Sequence, residues 1–141
     1  MISDNKSFKR NSFSIFAKIF KMAGTLYLIP NTLGDSSVNS VIPSDVCFLI
    51  KQIKHLIVED IRTTRRFLKK VDKSINIDEL TFYELNKHTT HQEKSRFLNA
   101  ANKGLNVGII SEAGCPGVAD PGADIVSNAH QQNIKVVPLV G

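Results

Sequence analysis

Short apolar runs alternate with amphipathic segments along most of the chain. The segments between the runs carry apolar residues at helical spacing, whereas the runs are too short to be helices of their own. An alternation of strand and helix predicts a parallel sheet with right-handed crossovers, and runs with apolar residues on both faces indicate buried strands. The pattern therefore predicts an α/β fold. The predicted strands are residues 25–30, 56–58, 80–85, 107–110 and 135–140.

Helices are predicted between these strands. Asp60 is a typical N-cap for the helix after the second strand. The helix that begins after His91 is predicted to end at Gly104 in a left-handed conformation, with Lys103 just before it. The other predicted helices are residues 43–53 and 123–132.

The first 23 residues differ in composition from the rest. Five lysines and arginines stand against one aspartate in residues 1–21, so most of the net charge of +5 lies there. A basic, roughly amphipathic segment suits a membrane surface or RNA, but it also suits a flexible extension or residues upstream of a start at Met22. We expect a flexible basic extension over residues 1–23 and one domain over residues 24–141. The apolar stretches are too short for a membrane span.

Residues 111–122, Ser-Glu-Ala-Gly-Cys-Pro-Gly-Val-Ala-Asp-Pro-Gly, form the most informative motif. Three glycines and two prolines predict a fixed loop that leaves a strand and leads to a helix, with Asp120 as N-cap and Pro121 as the first helical residue. Ligands bind at such places in open α/β sheets. The motif lacks the glycine pattern of dinucleotide sites and the Gly-Lys-Ser/Thr of a P-loop, so neither a dinucleotide nor a triphosphate is indicated.

A second group of chemically capable residues follows the second strand. Glu59 or Asp60 could accept a proton from a hydroxyl nucleophile, and arginines at helical spacing suit phosphate groups. The alternative is a capped helix with a solvated, salt-bridged face. The three arginines are Arg62, Arg65 and Arg66.

Histidine and cysteine patterns predict no metal site. His88 and His91 are three residues apart without a third ligand nearby, which favours a polar helix start. Cys47 and Cys115 do not form a Cys-x-x-Cys pair, so a reducing cytoplasm is the expected compartment. A small buried residue is a more typical role for Cys115 than a nucleophile.

Four motifs in order carry a family resemblance. They are Gly-Thr-Leu-Tyr-Leu-Ile-Pro at 24–30, Glu-Asp-x-Arg-x-Thr at 59–64, the 111–122 motif, and Val-Val-Pro-x-x-Gly at 136–141. Together they resemble the tetrapyrrole (corrin/porphyrin) methylase superfamily of S-adenosylmethionine-dependent methyltransferases. The most similar branch methylates a ribose 2′-hydroxyl in small-subunit ribosomal RNA.

The resemblance implies a five-stranded parallel sheet flanked by helices, followed in the family by a second α/β domain with S-adenosylmethionine in the cleft between the two. That second domain would begin just beyond Gly141 and is missing from this sequence, so we expect the chain alone to bind the cofactor weakly or not at all. Family members also suggest a homodimer. Cofactor contacts are implied for Pro30, Asn31, Ser111, Glu112, Ala113, Gly114, Cys115, Pro116, Gly117, Asp120 and Pro121.

Within this resemblance, Asp60 or Glu59 is the candidate base, and Arg62 and Arg65 would position a phosphate-bearing substrate such as ribosomal RNA. The sequence departs from the ribosomal RNA branch at residues 31–35 and at Cys115, where that branch has a threonine. Two alternatives therefore stay open: a methylase of a tetrapyrrole or another small molecule, and a cofactor-binding module without catalysis.

Overall fold

One parallel sheet organises the part of the chain that the structure describes. The computed structural model describes residues 23–30, 42–110 and 122–139. The strands are β1 (Thr25–Ile29), β2 (His55–Val58), β3 (Thr81–Glu84), β4 (Val107–Ile110) and β5 (Lys135–Pro138). They lie in the order β3-β2-β4-β1-β5, all parallel. The five predicted strands are thus confirmed, with ends that shift by two residues at most.

The register brings the strand ends into one row. Ile110 at the end of β4 pairs with Ile29 of β1 on one side and with Val58 of β2 on the other. Val58 pairs in turn with Glu84 of β3. The chain segments that follow β1, β2, β3 and β4 therefore all leave from the same end of the sheet, where the strands have their carboxyl ends.

Helices cover both faces of the sheet. On one face, Ile50 and Phe67 pack with Ile29, Leu56 and other buried residues of the strands. On the other face, Leu98 and Ile125 pack with a second buried cluster that includes Ile57. The result is a three-layer α/β/α arrangement in the described residues. The helices are α1 (Ser44–Gln52) and α2 (Ile61–Val71) on the first face, and α3 (His91–Arg96), α4 (Asn99–Asn102) and α5 (Gly122–Gln131) on the second.

The prediction of one continuous helix from His91 to Gly104 was wrong. It is divided into α3 and α4 at Phe97 and Leu98, and Leu98 has φ −97° and ψ 3°. Leu98 is fully buried and Phe97 packs on Tyr83, so tertiary packing takes precedence over continued helical geometry. The predicted end is confirmed, because Gly104 has φ 91° and donates to Ala101 O at 3.0 Å.

Two glycines let other atoms approach the sheet closely. A Cβ on Gly24 would lie 1.8 Å from the carbonyl oxygen of Leu105, and Gly24 N donates to Ala101 O at 2.7 Å. A Cβ on Gly108 would meet Ile29 Cδ1 at 2.5 Å and Leu56 Cδ2 at 2.9 Å. Gly24 therefore lets the backbone at Leu105 lie against the start of β1, whereas Gly108 leaves room for two side chains at the centre of the sheet.

Candidate functional site

The winding direction of the chain reverses between β1 and β4. The connection from β1 runs through α1 on one face to β2, whereas the connection from β4 runs through α5 on the other face to β5. Neighbouring strands whose connections diverge in this way leave a crevice at their carboxyl ends, and ligands of open α/β sheets bind there. This switch point is defined by the paired residues Ile29 and Ile110.

The structure places the first predicted cofactor residue at this switch point. Pro30 follows Ile29 directly and is partly buried, and Ile110 directly precedes the glycine-rich motif. The remaining predicted cofactor residues lie outside the described part of the chain, so their roles stay predictions. They are Asn31, Ser111, Glu112, Ala113, Gly114, Cys115, Pro116, Gly117, Asp120 and Pro121.

The two candidate bases leave the same edge of the sheet. Glu59 and Asp60 follow Val58, which pairs with Ile110. Neighbouring strands are about 4.8 Å apart, so the two carboxylate residues begin one strand spacing from the end of β4 and two from the end of β1. The structure thus brings Pro30 to the same end of the sheet as Glu59 and Asp60, although Pro30 is distant from them in sequence.

Asp60 also has a structural role, as the N-cap of α2. Its Oδ1 accepts a hydrogen bond from Thr63 N at 2.9 Å, which confirms the predicted cap. That backbone hydrogen bond, aided by the nearby charge of Arg62, holds the pKa of Asp60 below its ordinary value of 3.8. Thr64 is buried and its hydroxyl donates to Asp60 O at 2.8 Å. Asp60 and Thr64, two residues of the 59–64 motif, therefore fix the start of α2.

The arginines of α2 are exposed, as their spacing predicted. Arg62 lies in the first turn, at the edge of the sheet that carries the site. The guanidinium of Arg65 lies 5.9 Å from the centre of the Phe82 ring, a cation–π contact that ties it to β3. Arg66 lies beside Arg65 on the exposed side of the helix. The arrangement offers positive charge next to the switch point, which suits an anionic substrate.

An ion pair that the sequence analysis missed holds the start of α5. Lys94 Nζ of α3 lies 2.7 Å from Asp124 Oδ2 in the first turn of α5, directly after the motif at 111–122. Lys94 lowers the pKa of Asp124 through this hydrogen bond and its charge. The two residues are 30 apart in sequence, so no local pattern could have revealed the pair.

Among the described residues, the histidines and Cys47 form no metal-ligand cluster. His91 opens α3, and Thr90 and Glu93 form a capping box there, which confirms a polar helix start. In residues 23–30, 42–110 and 122–139, no three His, Cys, Asp or Glu side chains come together as metal ligands, and no helix is long and apolar enough to cross a membrane. Cys47 is buried in the core, and burial raises the pKa of its thiol.

The fold and the site define a doubly wound α/β domain with a ligand crevice at its switch point. By sequence, the chain is similar to proteins named ribosomal RNA small subunit methyltransferase I. It is 31% identical over 125 residues to the one from Streptococcus pyogenes serotype M6, which covers 86% of this chain and 39% of the relative. It is 30% identical over 118 residues to the one from Synechocystis, with 84% and 39% covered.

A third relative has the same name and a similar extent of match. The protein from Vibrio cholerae is 31% identical over 119 residues, with 84% of this chain and 38% of the relative covered. The chain therefore spans about two fifths of the length of these relatives. No family model matches the chain.

Proposed function

We propose that residues 24–141 form the N-terminal domain of an S-adenosylmethionine-dependent methyltransferase that acts on a ribose 2′-hydroxyl of ribosomal RNA. The observation that carries the proposal is the position of Pro30, Glu59 and Asp60 at the carboxyl end of the sheet, where the connections from β1 and β4 diverge. Similarity over 84–86% of this chain to proteins named ribosomal RNA small subunit methyltransferase I supports methyl transfer to ribosomal RNA.

The residues at the switch point fit the proposed cofactor. S-adenosylmethionine has an adenine, a ribose, an amino-acid group and a sulfonium but no phosphate, so it does not need the P-loop that this chain lacks. The buried ends of β1 and β4 and the adjacent Pro30 offer an apolar floor for such a molecule. We assign the polar contacts to peptide groups of Asn31, residues 111–117, Asp120 and Pro121. When bound, the cofactor supplies a methyl group on a positively charged sulfur.

The carboxylates after β2 are proposed to assist the nucleophile. Glu59 or Asp60 would accept the proton of the ribose 2′-hydroxyl as its oxygen takes the methyl group, whose bond to sulfur would break and release the neutral thioether. The lowered pKa of Asp60 keeps it ionised at neutral pH but also makes it a weak base, and its Oδ1 is engaged by Thr63 N. A contribution at the low end of the usual range for general bases, about 10²-fold, is therefore expected of Asp60.

Arg62 and Arg65 are proposed to hold the phosphates on either side of the methylated ribose. Both are exposed on α2, and Arg62 lies in the turn that begins at the site. Phosphate contacts of this kind fix the position of a nucleic-acid strand without selecting a sequence. They also bring the 2′-hydroxyl towards the carboxylates after β2.

Cofactor binding is tested by NMR spectroscopy on this chain with S-adenosylhomocysteine, because chemical shifts also report weak binding. We expect changes that centre on the amides of Ile29, Glu59 and Ile110. Changes centred on another part of the sheet would contradict the proposed cofactor site.

Methyl transfer is tested with small ribosomal subunits and a methyl-labelled cofactor. A 2′-O-methyl group blocks alkaline cleavage of the following phosphodiester, so the labelled RNA should yield an alkali-resistant dinucleotide. Label on a base, recovered in a mononucleotide, would contradict the assigned oxygen. Label on an added tetrapyrrole but not on RNA would favour the small-molecule alternative.

A further inference from the structure

Positive charge covers the outer side of α2. Six residues of this helix are exposed, and all of them except Thr63 are lysines or arginines. The helix itself contains no acidic residue, although Asp60 and Asp72 cap its two ends. We call the five exposed cations the α2 cation face. They are Arg62, Arg65, Arg66, Lys69 and Lys70.

The arrangement of these charges does not stabilise the helix. Arg66 has one cation four residues before it and two more at three and four residues after it. These neighbours are Arg62, Lys69 and Lys70, and like charges at such spacings destabilise a helix. Arg62 also lies in the first turn, where the helix dipole disfavours a cation. Conflicts of this kind between charge and local structure are expected at functional sites.

One member of the α2 cation face is engaged by the fold, whereas two others are available. Lys69 Nζ donates to Lys73 O at 3.1 Å and to Ile75 O at 2.6 Å, so it holds the loop that follows α2. Within the part of the chain that the structure describes, the Arg66 and Lys70 side chains make no hydrogen bond or ion pair. They can therefore bind an anion from outside the protein.

The available cations continue a row that begins near the switch point. Arg62, Arg66 and Lys70 are four residues apart, so they lie one above the other on the same side of the helix. Each step along the row rises by about 6 Å, and the row reaches about 12 Å from Arg62. Phosphates follow one another at intervals of a few ångströms along a nucleic-acid strand, so one strand can meet all three cations.

From these observations we propose that Arg66 and Lys70 bind the phosphate backbone of the RNA that continues beyond the methylated nucleotide. The proposal rests on the proposed RNA substrate and extends its contacts from the switch point along the length of α2. Arg62 and Arg65 hold the phosphates beside the methylated ribose, and Arg66 and Lys70 hold those further along the strand. Such contacts add affinity and fix the direction of the strand without selecting its sequence.

A membrane surface and a protein partner fit the α2 cation face less well. A basic helix that lies on a membrane inserts apolar residues into the lipid. The apolar residues Phe67, Leu68 and Val71 of α2 are instead buried against the sheet. Protein interfaces are depleted of lysine at their centre. A polyphosphate backbone matches a surface that offers positive charge and no exposed apolar side chain.

Charge reversal at Arg66 separates RNA binding from stability. Arg66→Glu turns three repulsive pairs within the helix into attractive ones, so the thermal midpoint should rise. The same change should weaken the binding of a single-stranded RNA dodecanucleotide on the order of tenfold, as suits the loss of a hydrogen bond between charged groups. Fluorescence anisotropy at low salt measures the affinity. An unchanged affinity would overturn the proposal.

The salt dependence of binding counts the phosphate contacts. Arg66→Gln with Lys70→Gln keeps good helix formers and should flatten the slope of log K against log salt concentration by about 1.4, because each contact on a single strand contributes about 0.7. Lys103→Gln with Lys135→Gln is the control, since it removes the same charge from exposed positions outside α2. Equal slopes for the two double variants would overturn the proposal.

A third double variant, Arg62→Gln with Arg65→Gln, distinguishes failure of this proposal from failure of the proposed function. If it alone flattens the slope, the RNA contacts only the switch point, and the proposed function stands without the longer path. If the wild-type chain binds no RNA at low salt, both are overturned. Binding to phosphatidylserine vesicles that is lost in Arg66→Glu, with RNA binding unchanged, would overturn the proposal in favour of a membrane surface.

Discussion

Lys94 and Asp124 form a 2.7 Å ion pair that joins α3 to the first turn of α5. The two partners are unequally exposed, because Lys94 retains 12% of its side-chain accessibility and Asp124 retains 46%. Removing the charge of Asp124 should therefore cost more stability than removing the charge of Lys94.

Asp124→Asn should lower the thermal midpoint more than Lys94→Met does. The first change leaves a largely buried ammonium without its anion, whereas the second leaves a solvated carboxylate. The double variant should resemble Lys94→Met. Asp45→Asn is the control, since Asp45 is an exposed acid in the first turn of α1 and loses only its interaction with the helix dipole. Equal midpoints for Asp124→Asn and Asp45→Asn would contradict the argument.

The same pair predicts a pH dependence. The pKa of Asp124 is lowered in the folded state, so its contribution to stability is fully present above the unfolded-state pKa of about 3.9 and is lost as pH falls through the folded-state pKa. The difference in midpoint between the wild type and Asp124→Asn should be constant near neutral pH and shrink in acid. Circular dichroism melts across this range measure it, and a difference that grows in acid would be inconsistent with the lowered pKa.

Substitution of Asp60 separates its two roles. Asparagine is as good an N-cap as aspartate but is not a base, and alanine is neither. Asp60→Asn should therefore keep the thermal midpoint and lower methyl transfer by about 10²-fold, whereas Asp60→Ala lowers both. If Asp60→Asn keeps full methyl transfer, the residue acts only as a cap and Glu59 is the remaining candidate.

Loss of the arginines on α2 should weaken RNA binding in a salt-dependent way. Each phosphate contact on single-stranded RNA contributes about −0.7 to the slope of log K against log salt concentration, so Arg62→Ala with Arg65→Ala should flatten the slope by about 1.4. The matched control is Lys103→Ala with Lys135→Ala, which removes two exposed charges elsewhere. Similar slopes for the two double variants would show that Arg62 and Arg65 do not contact the substrate phosphates. A small-molecule substrate should be unaffected by either.

Gly24→Ala and Gly108→Ala should differ in severity. The new methyl group at Gly108 would meet the ends of two side chains, which can shift, so a cost of about 1–3 kcal/mol is expected. At Gly24 it would meet a carbonyl oxygen at 1.8 Å, and the backbone itself must move. Urea denaturation should show a larger loss for Gly24→Ala, up to failure to fold. The reverse order would contradict the packing at the start of β1.

Features governed by neighbouring residues could be predicted from the sequence. The strands, the cap at Asp60 and the left-handed Gly104 all depend on patterns within a few residues. The division of α3 from α4 could not be predicted, because the packing of Phe97 on Tyr83 decides it. The order of the strands also depends on contacts between distant segments.

The candidate site divides in the same way. Carboxylates and arginines after β2 are visible in the sequence, and their positions at a helix start follow from local rules. The contact of Arg65 with Phe82 depends on which strand becomes the outermost strand of the sheet. Nothing in the sequence around Phe82 indicates that position.

The pairing of Ile29 with Ile110 also bears on how the domain could be engineered. The crevice above these residues exists because two connections diverge, and it does not require any particular side chain in the segments that follow. Mutations in those segments can therefore change ligand preference without loss of the hydrogen bonds between β1 and β4. A library randomised at residues 31–35 and 112–117 would sample new specificities on an unchanged scaffold, which makes this domain a suitable starting point for directed evolution.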